Sequence, residues 1–493
     1  MKRAKFSLSH YKLLSCDMGE LVPIGLTEVL PGDTMQQATS MLVRVSPLLA
    51  PVMHPVHVRI HHWFVPHRLV WDDWEDFITG GPDGDNASAF PTISLTTTTG
   101  GQGTLADYLG VPPVASGTCS VSALPFRGYA KIWNEWYRDQ DLQTELTIDT
   151  SDGVDSTTNT DLQHVAWEKD YFTSARPWEQ KGPTITVPLG TTAPVIGNGT
   201  NIGFIGAAGT ERALNMVNGS VDPAWSAVPG ETSGARLNPD PTKSGIIADL
   251  SAASSASIND LREAFALQRY QEARARYGSR YTEYLAYLGV RSSDARLQRP
   301  EYLGGGKQVI QFSEVLQTAP ESGDGVGNLL GHGIGALRSN RYRRFFEEHG
   351  YVFSFVSVKP KTMYADGLHR HWNRRIKEDF FQRELQHIGQ QAILNKEIYA
   401  AHASPDGTFG YQDRYDEYRR AESGIAGDFR STLNFWHYAR LFGSQPALNA
   451  DFIKSTPTKR VNQVSSEDVL WVMANHSIQA RRIVARNGSS YIF

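Results

Sequence analysis

Chemistry at a protein site needs particular side chains at fixed spacing, and this chain offers only fragments of such patterns. Gly304-Gly305-Gly306-Lys307 has the glycines and lysine of a phosphate loop, but Gln308 follows where Ser or Thr is required, and Glu301 stands where the first Gly belongs. Gly331-His332-Gly333-Ile334-Gly335-Ala336 fits the outline of a dinucleotide fingerprint, yet Asn328-Leu329-Leu330 before it is a poor strand and a basic segment follows. No Gly-x-Ser-x-Gly elbow marks a hydrolase serine. The carboxylate pairs Asp72-Asp73 and Glu347-Glu348 are adjacent in sequence and read as solvated faces. His54, His57, His61, His62 and His67 cluster. On a strand rising ~3.3 Å per residue, His57 and His61 stand ~13 Å apart on one face, too far to share an ion, and His62 points the other way. His369 and His371 have no Cys or Glu at zinc spacing nearby. Two cysteines, Cys16 and Cys119, exclude a disulfide framework and a Cys-rich zinc module. No catalytic residue, metal site or cofactor is therefore expected.

The basic patches carry more meaning. Arg338-Ser-Asn-Arg341-Tyr342-Arg343-Arg344 and Arg370-His-Trp372-Asn-Arg374-Arg375-Ile-Lys377 interleave cations with aromatics. Cations can track phosphates while aromatic rings stack on unpaired bases. The competing reading is arginines paired with acids across an interface. The opening Met1-Lys2-Arg3-Ala4-Lys5 adds a basic arm with no apolar stretch behind it, unlike a signal peptide.

These groups must be positioned by an ordered scaffold. Of 493 residues, 40% are apolar and 20% charged, which excludes global disorder. No apolar run is long enough for a membrane-spanning helix, so a soluble chain made in a cytoplasm is expected. The totals of 48 Lys and Arg against 52 Asp and Glu give −4. That near-neutral sum hides an asymmetry. Residues 1–250 carry 16 − 27 = −11 and residues 251–493 carry 32 − 25 = +7. In Val56–Val65, Val56, Val58, Ile60, His62 and Phe64 share one face of a strand, and Pro66 ends it. Met41–Pro47 and Gly350–Pro360 also read as strands, the latter fully buried; Arg481–Arg486 is a weaker candidate. Helical spacing of Phe126, Tyr129, Trp133, Trp136 and Tyr137 predicts a helix over Pro125–Arg138. Further helices are predicted over Ser257–Tyr277, with Leu261, Ala264, Phe265 and Gln268 on one face, and over Tyr281–Leu288. Residues 300–340 read as glycine-rich loops. Residues 190–256 are rich in Gly, Ala, Ser, Thr, Asn and Pro and too long for an ordinary connection, suggesting a small ordered lobe. Strands far apart in sequence, joined by very long loops with their own helices, fit a barrel or sandwich with large insertions rather than alternating βαβ units.

Several stretches resemble the major capsid protein of the Microviridae, gokushovirus-like group. They are Tyr171–Gly182, Arg280–Glu283, Asp294–Gly306, Leu394–Tyr399, Phe409–Tyr418 and Phe429–Thr432, with Phe6–His10 and Val22–Gly25 at the opening. The matches run in order from about residue 6 to about residue 455, and the irregular Arg296–Gly306 string is the most specific. The resemblance implies a mainly β fold, an eight-stranded jelly-roll barrel with long inter-strand insertions containing short helices. It implies a T=1 icosahedral shell of many copies of the chain around circular single-stranded DNA, within a virion assembled in a bacterial cytoplasm. Its implied partners are a small basic DNA-packaging protein, an internal scaffolding protein, a DNA pilot protein and a host-cell receptor, with no membrane insertion. It divides the chain into a basic arm (1–16), a first barrel part (17–190), an inserted lobe protruding at the threefold axes (191–256) and a second barrel part (257–493). DNA-facing positions are expected at Lys2, Arg3, Lys5, Arg341, Arg343, Arg344, Arg374 and Arg375. Host-attachment positions are expected in the lobe, at Asn198, Asn201, Phe204, Asn218, Trp225 and Asn238. Trp71, Trp74, Trp133 and Trp136 are candidates for subunit contacts or for the core. The alternative is a β-sandwich carbohydrate-active enzyme using Trp and Tyr as sugar platforms, but no carboxylate pair is singled out for it.

Overall fold

The computed structural model describes residues 3–185, 195–197, 203–205, 211–213, 236–237, 240, 244–248, 258–278, 280–318 and 326–486. The chain divides into two compact units, Met1–Glu179 with Tyr277–Phe493, and Gln180–Arg276.

The larger unit is built on eight long strands. In chain order they are β1 (His10–Cys16), β2 (Val22–Val29), β3 (Thr34–Leu48), β4 (Val56–Pro66), β5 (Glu301–Leu316), β6 (Leu329–Arg338), β7 (Gly350–Pro360) and β8 (Leu470–Arg482). All pairings among them are antiparallel. One sheet runs β1-β8-β3-β6, and the other runs β2-β7-β4-β5. Strand β5 belongs to both: Glu301–Ile310 pairs with β4, and Gln311–Leu316 turns over to pair with β6. Two four-stranded sheets in this order form a jelly roll, the mainly β architecture expected from the sequence.

Between the sheets lies an apolar core that includes Ile24, Val43, Val58, Ile60, Val356 and Val472. The alternation read in β4 holds: Val56, Val58 and Ile60 are buried, while His57, Arg59 and His61 lie on the opposite, partly exposed face. A polar network crosses the same interior. His62 Nδ1 meets Ser354 Oγ at 2.9 Å and its Nε2 meets Ser339 Oγ at 3.1 Å. His476 is held between Thr39 Oγ1 and the Ile24 carbonyl, each at 2.9 Å. The packing is close enough that a Cβ on Gly25 would sit 2.9 Å from the His476 ring.

The outer face of the β2-β7-β4-β5 sheet is covered by helix α1 (Leu124–Ile132), which continues through one π-helical turn, Trp133–Tyr137. Its residues Phe126, Tyr129, Ile132 and Trp133 pack with Trp63, Phe353 and Phe355. Gly128 permits this approach, since a Cβ there would lie 2.7 Å from the Phe353 ring. Trp71 and Trp133 are buried in this cluster and Trp136 packs against it, so they serve the fold of the single chain.

Four expectations change. The described residues between 300 and 340 are mainly strands, not loops. Gly331, Gly333 and Gly335 face inward on β6, where a Cβ on Gly331 would meet the Ala50 backbone and one on Gly333 would meet Phe312 and Val45. Glycine there is a packing requirement rather than a turn signal. The last strand begins at Leu470 and ends at Arg482 instead of starting at Arg481. The N-terminal arm is extended, but its backbone is already occupied: Ala4–Ser7 and His10–Cys16 both pair with β8. The helix α2 (Ile258–Tyr277) lies where the spacing predicts it, yet Leu261 and Phe265 on its predicted packing face are exposed, Phe265 to 61%.

The smaller unit, Gln180–Arg276, contains short antiparallel pairs, Gly203–Ile205 with Glu211–Ala213 and with Arg236–Leu237, and Val195–Gly197 with Ile246–Ala248.

Candidate nucleic-acid interface

Partners directly opposite in an antiparallel ladder share a face, and alternate residues along each strand return to it. Applied to the β1-β8-β3-β6 sheet, this places a set of side chains on its outer surface. At one end, Lys5 lies opposite Arg481, and Arg481 opposite Thr34. Thr34 lies opposite Phe345, and Gln36 opposite Arg343, on the short strand Tyr342–Phe345 that extends β6. Farther along come Tyr11 opposite Asn475, Leu13 opposite Met473, and Trp471 opposite Arg44. Arg338 lies opposite Ser40.

Two properties distinguish this face. The outward positions are Lys5, Ser7, Tyr11, Leu13 and Ser15; alternate residues Trp471–Arg481; Thr34–Arg44; His332–Arg338; and Arg343 with Phe345. None is Asp or Glu. Lys5, Arg44, Arg338, Arg343 and Arg481 are all exposed, and among the described residues none forms an ion pair. Large apolar and aromatic groups sit between them in the open: Tyr11 is 70% exposed, Leu13 81%, Trp471 45% and Phe345 47%. Carboxylates approach at the Trp471 end, where Asp107, Glu467 and Asp468 line a pocket with Leu13, Ser15 and Trp471; elsewhere flat rings between unpaired cations can bind single-stranded nucleic acid by stacking and charge together.

The structure thus brings together some of the expected DNA-facing residues and separates others. Arg3, Lys5 and Arg343 converge. Arg3 donates to the Gly32 carbonyl at 2.9 Å and lies 5.3 Å from the Phe345 ring centre. Arg341 is exposed in the turn just before Tyr342. Arg344 is half exposed but pairs with Glu301 at 2.6 Å. Arg374 is largely engaged within the chain, 3.5 Å from Glu417 and 4.3 Å from the Tyr418 ring centre. Arg375 donates to the Trp372 and Arg374 carbonyls, each at 2.9 Å. Lys2, Asn198, Asn201, Asn218, Trp225 and Asn238 lie outside the described residues, and Phe204 is placed only as the centre of the strand Gly203–Ile205. Arg44, Arg481, Tyr11 and Trp471 were missed. For Trp471 and Arg481 the signal is the alternation in Leu470-Trp-Val-Met-Ala-Asn-His-Ser-Ile-Gln-Ala-Arg-Arg482, obscured because His476 occupies an inward position.

A family model described as capsid protein (F protein) matches residues 1–487. The chain is 38% identical over 488 residues to capsid protein VP1 of Bdellovibrio phage phiMH2K, covering 94% of this chain and 90% of that protein. It is 33% identical over 547 residues to capsid protein VP1 of Chlamydia phage 1, covering 95% and 92%. Against capsid protein VP1 of Spiroplasma virus 4 it is 34% identical over 485 residues, covering 92% and 87%.

Proposed function

We propose, from the premise that this chain belongs to the capsid protein (F protein) family and is a structural, non-enzymatic component of a phage virion, that its copies close into a T=1 icosahedral shell around circular single-stranded DNA. The single observation that carries the DNA reading is the outer face of the β1-β8-β3-β6 sheet, whose outward strand positions combine cations unpaired among the described residues with exposed rings and include no Asp or Glu. That face is the inner lining of the shell. A net charge of −4 means the chain does not neutralise a genome by itself, so a small basic packaging protein shares the task. An internal scaffolding protein and a DNA pilot protein complete the assembly partners. The segment around residues 191–256 is the host-attachment lobe, and copies meeting at a symmetry axis would gain avidity for a receptor.

Electron microscopy of particles from expressing cells tests the shell. Closed particles of T=1 size that retain nuclease-protected single-stranded DNA, with the Trp471 and Arg343 face turned inward, are expected. A shell with that face outward refutes the DNA assignment while leaving the capsid role intact.

A further inference from the structure

The outer face of the other sheet carries a second cationic site, separate from the one assigned to DNA. Arg59 on β4 stands opposite Lys307 on β5 and Ser357 on β7, with Lys359 one position along opposite His57. Beside them opens a cavity of about 480 Å³, lined by Arg59, Lys359, Arg138, Arg176, Glu168 and Asp139 among others.

The charges in this cavity do not cancel locally. Each acid lining it already has partners. Glu168 pairs with Lys307 at 3.3 Å and Lys361 at 3.1 Å. Asp139 pairs with Lys169 at 2.5 Å and lies 3.8 Å from Arg176. Glu283 accepts from Gln140 at 2.8 Å. Arg59 has nothing comparable. Its Nε is buried without a hydrogen-bond partner, and among the described residues the guanidinium makes no ion pair. Lys359 donates only to the Ala166 carbonyl, at 2.7 Å, and burial lowers its ammonium to about 8. A buried guanidinium N–H with no acceptor is unfavourable, and an anion in the cavity would complete it.

The surrounding rings argue about the shape of that anion. The face of Trp136 is covered by Arg299, 4.2 Å from its centre, and by Trp63 at 4.7 Å. Arg440 lies 5.2 Å from the Trp167 ring centre. With cations already on the Trp136 and Trp167 rings, recognition rests chiefly on charge and hydrogen bonding. Arg59 and Lys359 donate from two strands, which suits an anion with several acceptor oxygens such as a phosphate group.

We propose that the cavity beside Arg59 and Lys359 is a phosphate-group site, filled either by free phosphate or by a backbone phosphate of nucleic acid. The purified protein is titrated with inorganic phosphate at constant ionic strength, following thermal unfolding and the phosphorus NMR linewidth. Phosphate at 10 mM, about a hundredfold above a Kd of ~0.1 mM, is expected to raise the unfolding temperature by about 2 °C or more, whereas acetate or chloride at matched ionic strength does not. Arg59→Gln abolishes the phosphate response and Arg59→Lys weakens it. Should Arg59→Gln fail to fold, Lys359→Met and the wild-type linewidth decide the matter. A phosphate effect no larger than that of acetate or chloride, or one that survives Arg59→Gln, overturns the proposal. Displacement of phosphate by a thymidine oligonucleotide assigns the site to nucleic-acid backbone; phosphate binding unaffected by it assigns the site to the free ion.

Discussion

At the scale of the residue, the barrel interior holds polar groups whose protonation is tied to folding. Burial pushes His62 down to about 3 and His476 down to about 4, with smaller contributions from each other's neighbourhood: His476 and His61 act on His62, and His10 and Lys12 on His476. Both are neutral in the folded chain near pH 7. Between about pH 6.5 and pH 4 the unfolded chain takes up protons there that the folded chain refuses, so these two groups make stability fall as pH drops through that window. The expected outcome is a declining unfolding temperature from pH 7 to pH 4, with a shallower decline in His476→Gln than in the parent. Equal slopes would show that His476 does not carry the effect. A second residue-scale prediction concerns Arg127 and Asp155, both fully buried and paired at 2.8 Å. Asp155 also accepts from Thr157 and Thr158. Asp155→Ala leaves the guanidinium buried and uncompensated, and a loss of about 3–5 kcal/mol in denaturant unfolding is expected. A loss under about 1 kcal/mol would mean that water reaches Arg127 in the variant.

At the scale of the element, what could be read in the sequence depended on how each strand fills its inward positions. Strands β4 and β7 were legible because branched and aromatic residues mark most of their buried positions, broken by His62 and Ser354. Strands β5 and β6 were not, because their inward positions use Gly306, Gly331, Gly333 and Gly335 to let neighbouring strands approach, and composition alone assigns such residues to turns. The cationic residues suffered the same fate in part. Arg338, Arg341 and Arg343 stood out as a run, whereas Arg44 and Arg481 joined them in one surface only when β3, β6 and β8 were laid side by side. That surface makes a quantitative prediction. Replacing Lys5, Arg343 and Arg481 together with Gln removes three exposed cations, none of which has an ion pair among the described residues. Each phosphate contact contributes about 0.7 to the salt slope of single-stranded binding, so the logarithmic slope should become shallower by about 2. Trp471→Ala should instead weaken binding with little change in slope, since stacking is not a counterion effect. Filter binding of a thymidine oligonucleotide across a salt series separates the two. An unchanged slope in the triple variant would remove this face from the DNA interface.

At the scale of the whole molecule, a shell protein must keep one set of surfaces invariant for closure while allowing another to change with the host. Heterologous contacts seal only when the rotation between copies is correct, so segments that touch neighbours tolerate little alteration. The insertion between β4 and β5 includes Gln180–Arg276, which forms a compact unit of its own. Within it, Gly197 lies opposite Ile246 in an antiparallel pair, so the ends of the intervening segment are already adjacent. A turn of two to four residues, such as Asn-Gly with flanking Ser, can join them without disturbing the strands on either side. Replacing residues 198–245 by that turn is therefore expected to leave particle yield and DNA content near those of the parent. Adsorption to host cells should fall by at least tenfold, because the positions expected to contact the receptor, Asn198, Asn201, Phe204, Asn218, Trp225 and Asn238, are all removed. Particle counts by microscopy and adsorption by residual titre distinguish the outcomes. Normal adsorption by well-formed shortened particles would move host recognition elsewhere on the shell. Failure to form particles would instead give the inserted unit a part in closure, joining it to the contacts that the barrel makes with its neighbours.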